Sequence, residues 1–87
     1  MKLLLFNKTL VEYLDQCKRY NIKPILCIIT NGNKKHFIPF DYVQIMPIGK
    51  THIYFISKNK RMFEIILEDV INCKYVEFGF FFSVYLK

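Results

Sequence analysis

The side chains best suited to chemistry are cations grouped at predicted turns: Lys34-Lys35-His36, Lys50 and Lys58-Asn59-Lys60-Arg61, with Lys18-Arg19 closing a predicted helix. Lys and Arg engage phosphate oxygens, and a neighbouring aromatic ring can stack on a base. Tyr42 is the ring expected to stack, and RNA or a nucleotide is the expected ligand. Each feature also has a plainer reading. Charged loop tips occur on any soluble β protein, and Lys18 and Arg19 suit a helix C-terminus, where cations complement the backbone dipole.

The residue types that catalysis requires do not assemble. Gly32, Gly49 and Gly79 stand alone in different segments, so no glycine loop can cradle a phosphate. Cys17, Cys27 and Cys73 are odd in number, lack a C-x-x-C pair and sit among apolar neighbours, the pattern of buried reduced thiols. His36 and His52 have no Cys or carboxylate at a metal-ligand spacing. No enzyme activity, cofactor or metal is expected. Asp41 and Asp69 fall at matching points of a faint echo, Phe37 to Ile45 against Ile65 to Cys73, at an offset of 28 residues. Their expected role is structural, each carboxylate accepting backbone amides at a bend.

These residues must be positioned by the elements between them. Thr9-Leu10-Val11-Glu12 has the form of a capping box and predicts a helix over residues 9–20, with Leu10, Leu14 and Cys17 on its apolar face and Tyr13 and Tyr20 at the margin. From Pro24 the period becomes that of strands. Ile25 to Thr30 is β-branched, Asn31-Gly32 is a hairpin signal, and a second strand runs from about Lys34 to Pro39. Alternation around Val43 and Ile45, then His52 to Ile56 and Met62 to Leu67, gives further strands, and Val70 to Tyr85 reads as one strand kinked at Gly79.

The 87 residues suit one domain, and with 53% of them apolar the chain is not intrinsically disordered. No apolar run reaches the roughly 18 residues of a membrane span, so no membrane partner and a cytoplasmic location are expected. Thirteen Lys and Arg against seven Asp and Glu give a net charge of +6, which favours an anionic partner. Twelve Ile and eleven Lys with no Ala also fit an AT-rich coding sequence, in which case the charge is background. So many large apolar side chains exceed what a small core holds, which predicts a homo-oligomer. The expected interface is an edge strand over Tyr75 to Tyr85, presenting Phe78, Phe80, Phe81 and Phe82.

A helix ending in Lys18-Arg19, then Ile25 to Thr30, Asn31-Gly32 and Phe40-Asp41-Tyr42-Val43 resembles the bacterial Sm-like RNA chaperones, with Ile66 to Cys73 in place of their second motif. Leu67-Glu68-Asp69 departs from the basic, His-containing signature those chaperones use for uridine-rich ends. The resemblance implies a ring of small barrels joined by edge strands. The expected fold is therefore α+β: one N-terminal helix and a strongly bent antiparallel sheet or small barrel of five to six strands over residues 24–85. Two functions stay open. One is a non-enzymatic binder of RNA or a nucleotide; the other is a phage or mobile-element module that inhibits a host protein or sequesters a host signalling nucleotide.

Overall fold

Leu3, Phe6, Leu10, Tyr13 and Cys17 recur at steps of three and four residues, the spacing that puts side chains on one face of a helix. In a computed structural model, which describes residues 1–76 and 79–87, helix α1 accordingly spans Leu3–Tyr20. It begins six residues earlier than the capping-box reading placed it. Lys2 is the N-cap, and the Thr9 hydroxyl donates within the helix to the Leu5 carbonyl at 3.0 Å. The apolar face extends upstream of Thr9, and its burial outweighs a local capping signal. Tyr13, expected at the margin, is fully buried, whereas Tyr20 is exposed. Asn21 ends the helix in the left-handed conformation (φ 53°), and the Ile22 N–H donates to the Cys17 carbonyl at 2.8 Å.

Among the described residues seven strands follow: β1 Ile25–Thr30, β2 Lys34–Pro39, β3 Tyr42–Met46, β4 His52–Ile56, β5 Met62–Ile66, β6 Val70–Tyr75 and β7 Phe82–Leu86, with a 3-10 turn, Leu67–Asp69, before β6. The β1–β2 hairpin turns at Asn31-Gly32 as expected, Gly32 and Asn33 both taking positive φ (83° and 60°). The strands form two sheets, ordered β2-β1-β7-β6 and β3-β4-β5.

The α+β class holds, but the sheets differ from the expected meander or barrel. They do not close into a barrel among the described residues, and there is one strand more than the upper expectation. The segment read as one kinked strand is two, β6 and β7, antiparallel to each other, with Gly79 in their connection. β7 inserts between β6 and β1 and runs parallel to β1, from Leu26↔Phe82 to Ile29↔Tyr85. A parallel pairing between the first and last strands leaves no local trace in sequence, because its crossover is most of the chain.

The core lies between the sheets and under α1. Leu26, Ile28, Phe82 and Val84 meet Ile53, Phe55 and Ile65, and the helix adds Phe6, Leu10, Tyr13 and Cys17. Each large side chain so buried contributes about 1.5–3 kcal/mol. Phe6 packs edge-on against Phe82 at a centroid distance of 5.7 Å, and Phe40 against Phe55 at 5.0 Å.

The chain passes between the sheets at two corners, and these are the two halves of the 28-residue echo. At the first, consecutive amides bond in different directions: Phe40 N–H to Pro24 O, just before β1, at 3.1 Å and Asp41 N–H to Ile56 O of β4 at 2.9 Å. At the second, Leu67 N–H donates to Thr51 O and Asp69 O accepts from Lys87 N–H, both at 2.9 Å. Phe40 and Leu67 are the buried apolar plugs of these corners. Asp41 meets its structural expectation, since its carboxylate accepts the Lys58 N–H at 2.6 Å. Asp69 does not. Its side chain is exposed and has no hydrogen bond among the described residues, only its carbonyl tying the corner.

Candidate nucleic-acid interface

The hairpin turn sets one end of the site and the β4–β5 turn the other. β2 is an edge strand with nearly every residue exposed, so Lys34, Lys35, His36 and Phe37 all reach solvent. The β4–β5 turn is closed by Ser57 N–H to Arg61 O and Lys60 N–H to Ser57 O, each 2.9 Å, with Lys60 at φ 65°. Asp41 holds this turn from outside, accepting the Lys58 amide and the Lys23 ammonium. The Lys23 ammonium first, and then the Lys58 amide, keep the Asp41 carboxyl below its ordinary value. Lys58, Lys60 and Arg61 are exposed and in no ion pair among the described residues.

Two adjoining grooves of about 740 and 440 Å³ run along β2 toward this turn and share Phe37, Ile38 and Phe63. Lys35 and His36 line the first; Ser57, Asn59 and Arg61 line the second. Together they form a trough beside the edges β2 and β5, with Phe37 (55% exposed) presented to solvent. Among the described residues, no carboxylate lines either groove. The nearby acid Glu64 alternates with the trough residue Phe63 and so points to the opposite face of β5. There the Tyr54 hydroxyl first, then His52 at 3.1 Å, hold it below its ordinary value.

The trough joins Lys35 to Arg61, and Lys34, Lys58 and Lys60 adjoin its two ends in sequence. The other expected binding residues lie elsewhere. Lys50 follows β3 and pairs with Glu68 at 3.8 Å. Arg19 lines a hollow with Glu12 and Asp15, poor surroundings for a phosphate. Lys18 and Tyr42 line a separate groove between α1 and β3 that also contains Asp15 and Asp41. Sequence reasoning missed Phe37 and Phe63 as the trough's rings. The available signal was Phe37 directly after Lys34-Lys35-His36, but a strand exposed on both faces shows no alternation to read.

The expected aromatic interface is corrected by β7. Phe82 is fully buried in the core, and its strand has neighbours on both sides, so it offers neither surface nor edge to another copy. Phe81 is half-buried against Phe37, at a centroid distance of 5.3 Å, and Phe80 is exposed. Phe78 lies outside the described residues. The three cysteines are free and buried as expected. Compared with models of known families, with curated proteins and with solved structures, the chain matches none.

Proposed function

We propose that the protein is a non-enzymatic binder of RNA or a nucleotide, holding it in the β2–β5 trough. The observation that carries this reading is a groove lining with Lys35, His36 and Arg61 around exposed Phe37 and, among the described residues, no carboxylate. Cations at both ends suit a phosphate backbone, and a base stacked on an aromatic ring contributes about 1–3 kcal/mol. The sequence resemblance to Sm-like RNA chaperones supports the same ligand class, although the trough uses other residues than Leu67-Glu68-Asp69, which stand in place of their uridine signature.

The test is binding of a short single-stranded RNA, followed by fluorescence anisotropy across a salt series. Replacing Lys58, Lys60 and Arg61 together by Ser should weaken binding and flatten its salt dependence by about two in log–log slope. Phe37→Ala should weaken binding about tenfold or more while leaving the slope unchanged. If both variants bind like the parent, the trough is not the site. A second reading rests on the edges beside the trough: β2 and β5 each have one side without a strand partner among the described residues. An extended segment of a host protein that brings no lysine to oppose Lys34 and Lys35 could add there as a strand, as an inhibitor module would use it. Binding to such a partner would persist at salt concentrations that release RNA.

A further inference from the structure

An open sheet edge pairs readily with another, and natural sheets obstruct this with charge, proline or a bulge. Of the four edges among the described residues, three are obstructed. β2 carries Lys34, Lys35 and Pro39; β6 carries Lys74 and a register shift between Val70 and Asn72; β5 contains Glu64 and follows Lys58, Lys60 and Arg61. The fourth, β3, reads Tyr-Val-Gln-Ile-Met, with no charge, no proline and an unbroken ladder to β4. Beside it runs an apolar groove of about 630 Å³, lined by Leu10, Val11 and Leu14 of α1 and by Val43 and Ile45 of β3. Val11 and Tyr42 are 46% and 55% exposed there, and Met46 at the end of β3 is 36% exposed.

We propose that β3 pairs antiparallel with β3 of a second copy of this chain, joining two three-stranded sheets into one of six strands across a two-fold axis. Charge selects the edge at which a second copy can approach. Two chains of net charge +6 repel, and a two-fold contact sets a strand against itself, so β2 would oppose its own lysines. β3 opposes nothing charged. Its surroundings are balanced too: Asp41 is paired with Lys23, and the groove's helix side offers Asp15 and Lys18, of opposite sign.

The side-chain pattern and the pairing of all five residues of β3 together select the register. Val43 and Ile45 pack against the core while Tyr42, Gln44 and Met46 are exposed. Centring the axis on Gln44 keeps both sets on their own faces, and a slip of one residue would exchange them. Gln44 then faces its copy, Tyr42 faces the partner's Met46, a favourable sulfur–aromatic neighbour, and Val43 faces the partner's Ile45.

Sedimentation equilibrium of the full chain from micromolar to millimolar concentration tests this. The parent should reach twice 10.5 kDa and stop there. Gln44→Lys and Gln44→Glu, at an exposed position, should keep the parent's circular dichroism yet each dissociate at about fivefold higher concentration, because like charges then meet across the axis. Mixing the two variants should restore association at least to the parent's strength, a rescue that general damage to the fold would not give. A parent that stays at 10.5 kDa throughout, a trimer or larger ring, or variants that neither weaken alone nor recover when mixed would overturn the proposal.

Discussion

Asp41 shows how much one side chain can organise. It sits where the chain leaves one sheet for the other, and its two oxygens bind Lys23, which precedes β1, and the backbone of the β4–β5 turn. Because Lys23 and the Lys58 amide hold its carboxyl below the ordinary 3.8, the folded state favours the ionised form. The stabilisation is thus complete above the ordinary value and is lost as pH falls through the lower, folded-state value. Asp41→Ala should melt below the parent at neutral pH, and the two melting curves should converge as the solution is acidified below about pH 4. Thermal denaturation over a pH series measures this. A gap unchanged by acid would mean that Asp41 acts through packing rather than through its charge. Asp69→Ala, which removes an exposed carboxylate with no hydrogen bond among the described residues, should leave the melting temperature nearly unchanged.

The helix depends on Tyr13. The Tyr13 hydroxyl accepts the Ile25 N–H at 2.9 Å and lies 3.1 Å from the Phe80 carbonyl, so α1 is pinned to the start of β1 and to the chain entering β7. Gln16 strengthens the second attachment, its amide donating to Gly79 O at 3.2 Å. Tyr13→Phe keeps the ring and leaves the Ile25 N–H without that partner, which should cost about 1–3 kcal/mol. Denaturant unfolding should show a lower midpoint with an unchanged slope; an unchanged midpoint would show that another group takes the bond. The spacing of Phe6, Leu10 and Cys17 made the helical face legible, and Asn31-Gly32 made the first hairpin legible, because both signals are local. The partnership of β7 with β1 was not, since nothing near Phe82 specifies a neighbour more than fifty residues away. The trough was half legible for the same reason: its cations stand in runs, but only folding brings Phe63 beside Phe37.

At the scale of the molecule, two sheets and a helix share one contiguous core, although the trough leaves a seam along β2 and β5. The Cα radius of gyration is 12.3 Å, close to the roughly 12 Å expected of a compact chain of this length, so the seam has not loosened the body. A shared core implies that no sheet or helix opens far alone. The cysteines provide a probe of this, because Cys17, Cys27 and Cys73 are free, buried and placed on α1, β1 and β6. Burial also raises the Cys27 and Cys73 thiols above their ordinary value, and only the thiolate reacts readily. Alkylation of the native protein should therefore be at least about a thousandfold slower than of the unfolded chain at all three positions. Followed by peptide mass spectrometry at increasing denaturant, the three sites should share one opening free energy, equal to that of global unfolding. A Cys17 that reacts well before Cys27 and Cys73 would show instead that α1 detaches, with the bonds of Tyr13, from a β core able to stand without it.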